Sequence, residues 1–188
     1  MKRRTVLGVA RICVGLAVSP VVAQTPFTLE EILAAPYPTQ LVTARDADRV
    51  AWVSEALGVR NVWTASGGVA PVRLTSFDED DGQTLSSLAL SADGLLAVFV
   101  RGGAKNRAGE HPNPASDPRG VEQAVWVVPT EGGAPWKLAT GTAPVLSPAG
   151  DRVVFRRDGK LYLSPLGAES PAEPVEPRVL FEARGRSR

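Results

Sequence analysis

One layout occurs three times along the chain, and it restricts the possible folds more than any other feature. Asp46-Ala47-Asp48-Arg49-Val50-Ala51-Trp52-Val53 aligns with Asp93-Gly94-Leu95-Leu96-Ala97-Val98-Phe99-Val100, and more loosely with Ala149-Gly150-Asp151-Arg152-Val153-Val154-Phe155-Arg156. Each reads as a tight turn feeding a strand, because turn-forming residues precede a β-rich run. A second strand with an aromatic follows each time: Asn61-Val62-Trp63, Ala124-Val125-Trp126 and Lys160-Leu161-Tyr162. After a turn rich in Gly and Pro comes a third: Ala70-Pro71-Val72-Arg73-Leu74-Thr75, Ala134-Pro135-Trp136-Lys137-Leu138-Ala139 and Glu176-Pro177-Arg178-Val179-Leu180-Phe181.

Trp52 and Phe99 are 47 residues apart, and Phe99 and Phe155 are 56 apart. These spacings approach the ~40 to 50 residues of a β-propeller blade once an insertion is allowed for. Residues 102–120 form that insertion, with Gly103, Gly109, Pro112, Pro114 and Pro118 and little apolar content. They predict a long loop between two strands of the second unit. A single blade cannot bury both of its faces, so stacking neighbours around an axis is the physical logic of such a repeat. The expected fold class is therefore all-β, a partial β-propeller of about three blades. A β-sandwich is the alternative, although it would not repeat this order of turn, strand, aromatic strand and Pro/Gly turn.

Ahead of the repeat, Thr28-Leu29-Glu30-Glu31 has the form of a capping box, predicting a short helix with Ile32 and Leu33 as its apolar face. Pro36 and Pro38 stop it after about two turns. Further upstream, Lys2, Arg3 and Arg4 precede a mostly apolar stretch at 5–22, and Val21-Val22-Ala23 offers the small residues a signal peptidase accepts. Cleavage after Ala23 would leave 165 residues with no later apolar run near the ~20 needed to span a bilayer. Arg11 interrupts the apolar stretch, so an uncleaved N-terminus stays open, as does a twin-arginine route through Arg3-Arg4. The expected organisation is a signal peptide at 1–23, a linker with a short helix at 24–40, an incomplete propeller at 41–183 and a frayed tail at 184–188. The expected location is outside the cytoplasm, periplasmic or extracellular.

Composition narrows the function. Lys and Arg number 21 against 20 Asp and Glu, and a net charge of +1 leaves no basic surplus for neutralising phosphates, which argues against a nucleic-acid partner. Cys13 and His111 are the sole cysteine and histidine, so neither a disulfide framework nor an intrachain Cys/His zinc cluster can be built.

Several segments resemble the N-terminal propeller of bacterial secreted serine peptidases of the prolyl oligopeptidase family, in its dipeptidyl peptidase IV-like branch. They are Phe27-Thr28-Leu29-Glu30-Glu31-Ile32-Leu33, Gly58-Val59-Arg60-Asn61-Val62-Trp63, Arg73-Leu74-Thr75 with Asp80-Asp81-Gly82-Gln83, and Pro112-Asn113-Pro114-Ala115-Ser116-Asp117-Pro118. The similarity runs from about residue 27 to about residue 166. TolB-like periplasmic propellers share the blade pattern, whereas the helix before the blades together with the Pro-rich insertion is similar to the peptidases. The resemblance implies a propeller of about seven or eight blades followed by an α/β-hydrolase domain whose Ser, Asp and His cleave short peptides.

That chemistry is not written in this chain. A nucleophile elbow needs Gly-x-Ser-x-Gly, and no serine here has glycine two positions away on both sides. His111, between Glu110 and Pro112, reads as a solvated loop imidazole. The family's paired propeller glutamates hold a substrate amino terminus; Glu30-Glu31 is the one adjacent pair, but it lies outside any matching motif and takes no such role. Asp78-Glu79-Asp80-Asp81-Gly82 resembles a calcium loop, yet the twelfth position from Asp78 is Ala89, with no carboxylate to complete the coordination. Trp52, Trp63, Trp126 and Trp136 read as packing between stacked sheets rather than as a ligand platform. Arg156-Arg157 and Arg184, Arg186 and Arg188 read as solvated charge. No catalytic, cofactor-binding or metal-binding residue is assigned, and no cofactor is expected.

Three blades cannot close a ring that needs about four. The expectation is a piece of a longer protein, the non-catalytic propeller portion of an exported peptidase, gating peptides toward a hydrolase domain encoded elsewhere. A TolB-like interaction module with a protein partner on the propeller face is the rival expectation.

Overall fold

The computed structural model describes residues 27–167 and 177–182. The expected signal peptide at 1–23 and the tail at 184–188 lie outside the described residues. The described residues are all-β with one helix of six residues, α1 (Leu29–Ala34).

The capping box that opens α1 is formed as its sequence predicts. The Thr28 hydroxyl accepts the Glu31 N–H at 3.1 Å, and the Glu31 carboxylate accepts the Thr28 N–H at 2.9 Å. Ala35 is extended, as the residue before a proline must be, and the helix ends there. Its apolar side does not behave as expected. Ile32 and Leu33 are 60% and 62% exposed, so this side of the helix is left open.

Twelve strands follow among the described residues, grouped as three antiparallel sheets of four in chain order. The first holds β1 (Tyr37–Thr43), β2 (Arg49–Ala56), β3 (Val59–Ser66) and β4 (Val72–Arg73); the second β5 (Leu85–Leu90), β6 (Leu96–Arg101), β7 (Ala124–Pro129) and β8 (Trp136–Thr140); the third β9 (Thr142–Leu146), β10 (Arg152–Arg157), β11 (Lys160–Pro165) and β12 (Arg178–Glu182). Each unit thus has one strand more than its sequence layout indicated, and the extra strand comes first. Because β1 begins at Tyr37, the sheet region starts inside the stretch expected to be a linker up to residue 40.

The repeat survives at the level of single atoms. The Ser91 and Ser147 hydroxyls accept the N–H of Leu96 and Arg152 at 2.9 and 3.2 Å, and the N–H groups of Gly94 and Gly150 both donate to the serine carbonyl three residues back at 2.9 Å. Both glycines sit at φ 74°, where a side chain would be strained. The first strand of every sheet carries one non-glycine residue in the left-handed region: Gln40 at φ 53°, Ser87 at 53° and Ala143 at 51°. These positions are 47 and 56 residues apart, the same steps that relate Trp52, Phe99 and Phe155. Each coincides with a shift of register against the neighbouring strand, so the distortion is a repeated β-bulge.

Packing follows from period-two alternation. In β6, Ala97 and Phe99 join a cluster with Ala51, Val53 and Val62 of the first sheet, while Leu96, Val98 and Val100 join another with Val153 and Phe155 of the third. The second sheet is therefore buried on both faces and lies between the other two. Register partners across the second and third strands are aromatic in every sheet: Trp52 with Trp63, Phe99 with Trp126, and Phe155 with Tyr162. Phe155 and Tyr162 stack with centroids 5.8 Å apart. All four tryptophans lie in strands, and Trp126 and Trp136 pack between sheets as expected. Trp52 and Trp63 depart from that expectation. They alternate with Ala51, Val53 and Val62, so they occupy the face of the first sheet turned away from the second, where they are half-buried.

Candidate functional site

The insertion is a loop between β6 and β7, as expected, and it builds the walls of two clefts. Asn side chains shape it by standing in for regular secondary structure. The Asn106 side-chain oxygen accepts the N–H groups of Ala108 and Glu110 at 2.9 and 3.0 Å, and the Asn113 amide bridges the N–H and C=O of Asp117. Two prolines press the loop onto the strand ends. A Cβ on Gly82 would lie 2.1 Å from Cγ of Pro114, and one on Gly103 would lie 2.6 Å from Cγ of Pro112. Gln83, buried, adds a hydrogen bond from its side-chain amide to the Pro112 carbonyl at 3.1 Å.

The first cleft, about 510 Å³, lies between this loop and the turn at 78–83. Arg101, at the end of β6, forms its back. Its guanidinium pairs with Asp81 and lies over the Phe77 ring at 4.5 Å, and Phe77 meets Trp126 edge-on at 6.4 Å. On the rim, Asp117 accepts from the Arg119 guanidinium and from the Arg119 backbone N–H, which together hold its carboxyl below the usual range. Glu122 pairs with Lys137 of β8. Most charges of the cleft are thus already matched, while the Glu79 carboxylate makes no ion pair among the described residues.

The second cleft, about 370 Å³, lies between the loop and the turn joining β10 to β11. His111, Lys105, Arg156 and Arg157 line it. The His111 Nδ1 is 3.0 Å from the Gly103 carbonyl, so in the neutral ring Nδ1 carries the proton and Nε2 is left as the acceptor. Arg157 lies over the Tyr162 ring at 4.2 Å. His111 is part-buried rather than fully solvated, and the structure brings it together with the Arg156-Arg157 pair, which sequence spacing did not connect.

The acidic run does not converge on one point. Asp78 pairs with Arg73 at 3.1 Å, Asp80 accepts the Gly82 N–H at 3.2 Å, and Asp81 turns to Arg101. No group of three or more Asp, Glu, His or Cys among the described residues could hold a metal ion. Glu31 is engaged in the helix cap. No helix among the described residues is long and apolar enough to cross a membrane. Of the cleft residues, Glu79 belongs to the acidic run and Asp117 to the Pro-rich insertion, whereas Arg101 and Glu122 belong to no sequence motif. The four are spread over more than 40 residues and meet only because the loop folds back.

No protein-family profile matches this chain, and no curated protein matches it. Among solved structures, one similar to it is that of a Mycobacterium tuberculosis puromycin-hydrolyzing peptidase, with 18% identity and a TM-score of 0.42. The likeness covers 78% of this chain and 23% of that one, so the chain spans less than a quarter of its length.

Proposed function

We propose that this chain is the non-catalytic propeller portion of an exported serine peptidase of the prolyl oligopeptidase family, in its dipeptidyl peptidase IV-like branch. The observation that carries the propeller part is the regular succession of three four-stranded antiparallel sheets, each ordered as in the chain and each packed on the next through the same register positions. A sandwich pairs two sheets face to face, whereas here the second sheet has a neighbour on either side. The peptidase part is supported by the residues that resemble that family, Phe27 to Leu33 before the first sheet and Pro112 to Pro118 in the insertion. The role that follows is to limit the size of peptides reaching a hydrolase domain and to support that domain, with chemistry located outside these residues.

The test is the reading frame beyond codon 188 in the source DNA, together with hydrolysis by the purified chain. Further blades and a Gly-x-Ser-x-Gly in that frame, with no cleavage of a dipeptidyl chromogenic substrate by the chain alone, are expected. A frame without a hydrolase, with a protein partner recovered on the chain, would replace this reading by the TolB-like one.

A further inference from the structure

We infer that the second cleft, between the insertion and the third sheet, is a binding site for inorganic phosphate, held by Lys105, Arg157 and the hydroxyls beside them. The inference goes beyond the proposed function and does not depend on it, because the second and third sheets with their loops supply both walls of the cleft.

Charge balance separates this cleft from the first one. The 56-residue step that relates Phe99 to Phe155 also relates Arg101 to Arg157, and each guanidinium lies over an aromatic ring, Phe77 at 4.5 Å and Tyr162 at 4.2 Å. Arg101 is neutralised by Asp81. The same step carries Asp81 to Lys137, which pairs with Glu122, so Arg157 has no counterpart of that carboxylate. Among the described residues the side chains of Lys105, Arg156 and Arg157 make neither an ion pair nor a hydrogen bond. Two carboxylates also line the cleft, Glu122 and Asp158. Glu122 is committed to Lys137, which leaves Asp158 beside three cations.

The donors suit an oxyanion. Stacking on Tyr162 holds the plane of the Arg157 guanidinium and uses none of its N–H groups, so its edge keeps the forked donors that match phosphate oxygens. The Thr140 and Thr142 hydroxyls line the same cleft, and neither side chain makes a hydrogen bond among the described residues. His111 adds an acceptor: with Nδ1 turned to the Gly103 carbonyl, the neutral ring offers Nε2. An acceptor among cations favours an anion that keeps one O–H. Hydrogenphosphate brings that proton, whereas sulfate and acetate do not.

Isothermal titration calorimetry of the full chain with inorganic phosphate tests this, at low ionic strength and about pH 8, where hydrogenphosphate is the main form. One phosphate per chain is expected, with sulfate bound about tenfold more weakly, as the loss of one hydrogen bond would give, and acetate more weakly still. Arg157→Gln and Lys105→Gln should each weaken phosphate binding about tenfold, because each removes a charge-assisted donor. Arg107→Gln removes the same charge from an exposed position of the same loop outside the cleft, and should change nothing. Lys105 is also exposed, so its replacement leaves the fold intact and tests the site whether or not Arg157→Gln folds. No saturable phosphate binding, sulfate bound as tightly as phosphate, or equal losses in Arg107→Gln and Lys105→Gln would overturn the inference.

Discussion

Gln40 fastens the second sheet to the first through Leu88. Its side-chain oxygen accepts the Leu88 N–H at 3.2 Å while its side-chain nitrogen donates to the Leu85 carbonyl at 2.6 Å, so one amide satisfies backbone groups on both sides of the bulge in β5. Leu88 lies within the register shift and Leu85 just before it on an edge strand, so these backbone groups depend on Gln40 for a partner when part-buried. Gln40→Ala should lower stability by about 1–3 kcal/mol, the penalty for leaving such groups unpaired, read as a shift in the urea midpoint. Gln40→Gly relieves the left-handed backbone at the same position and should lose less than an alanine there would. Equal losses would mean that the hydrogen bonds, and not the backbone angle, decide the effect.

Asn61 occupies a second bridging position. Its side-chain oxygen accepts from the Thr75 hydroxyl at 2.8 Å and the Phe77 N–H at 2.9 Å, and its nitrogen donates to the Phe77 carbonyl at 2.8 Å. The residue is buried, so water cannot take over these bonds. Asn61→Leu, close in size, should cost about 3 kcal/mol despite its greater hydrophobicity. Chemical denaturation that finds the leucine variant as stable as the parent would contradict this account.

The difference between inner and outer aromatics gives a third expectation. Phe99→Ala and Phe155→Ala open cavities between sheets and should each lose about 3–5 kcal/mol. Trp52→Ala removes a larger side chain from a half-buried face and should lose less than either in the isolated monomer. Thermal melts at a dilution where the chain is monomeric decide the order.

Acid should loosen the turns between the first two strands of the second and third sheets. The Ser91 hydroxyl and then the Leu95 N–H hold the Asp93 carboxyl below its ordinary value, and the Ser147 hydroxyl does the same for Asp151. A carboxylate whose pKa is depressed on folding stabilises the native state above its unfolded value of about 3.9, and that stabilisation disappears as pH falls through the folded value. Asp93→Asn should therefore be less stable than the parent near neutral pH, with the gap closing as the pH drops below about 4. A gap that stays constant with pH would show that the charge is not what the turn uses.

Glycine matters unequally along the insertion. Gly102 sits at φ 111°, and a Cβ there would lie 2.1 Å from the Glu122 carbonyl oxygen, a backbone atom that cannot swing aside. Gly109, at φ 85°, has open space around it. Gly109→Ala should cost about 1 kcal/mol for the backbone angle alone, and Gly102→Ala distinctly more. Melting temperatures of the two variants give the comparison directly.

The strands that sequence reasoning recovered are those with uninterrupted alternation or β-branched runs, such as Leu96–Arg101 and Arg152–Arg157. Those it missed carry a local contradiction. Pro38 in β1 and Pro144 in β9 argue against strands, yet both strands lie at the edge of their sheets, where a missing N–H is tolerated. In β5, Ser86 and the left-handed Ser87 break the alternation at the bulge. The helix cap was legible because it is closed within four residues, whereas the fate of Ile32 and Leu33 depends on what lies beside the helix. The clefts were illegible for a similar reason: Arg101 and Asp81 are 20 residues apart, and no periodicity records a loop that folds back.

Arg101 and Ala124 are direct register partners, so the whole excursion from 102 to 123 leaves and rejoins the sheet at a single rung. For the strands it is a hairpin bend of arbitrary length, and lengthening a loop adds little closure entropy, about 0.6 kcal/mol per doubling. The rung is therefore a socket. A different piece of chain can be plugged in there while β6 and β7 stay where they are.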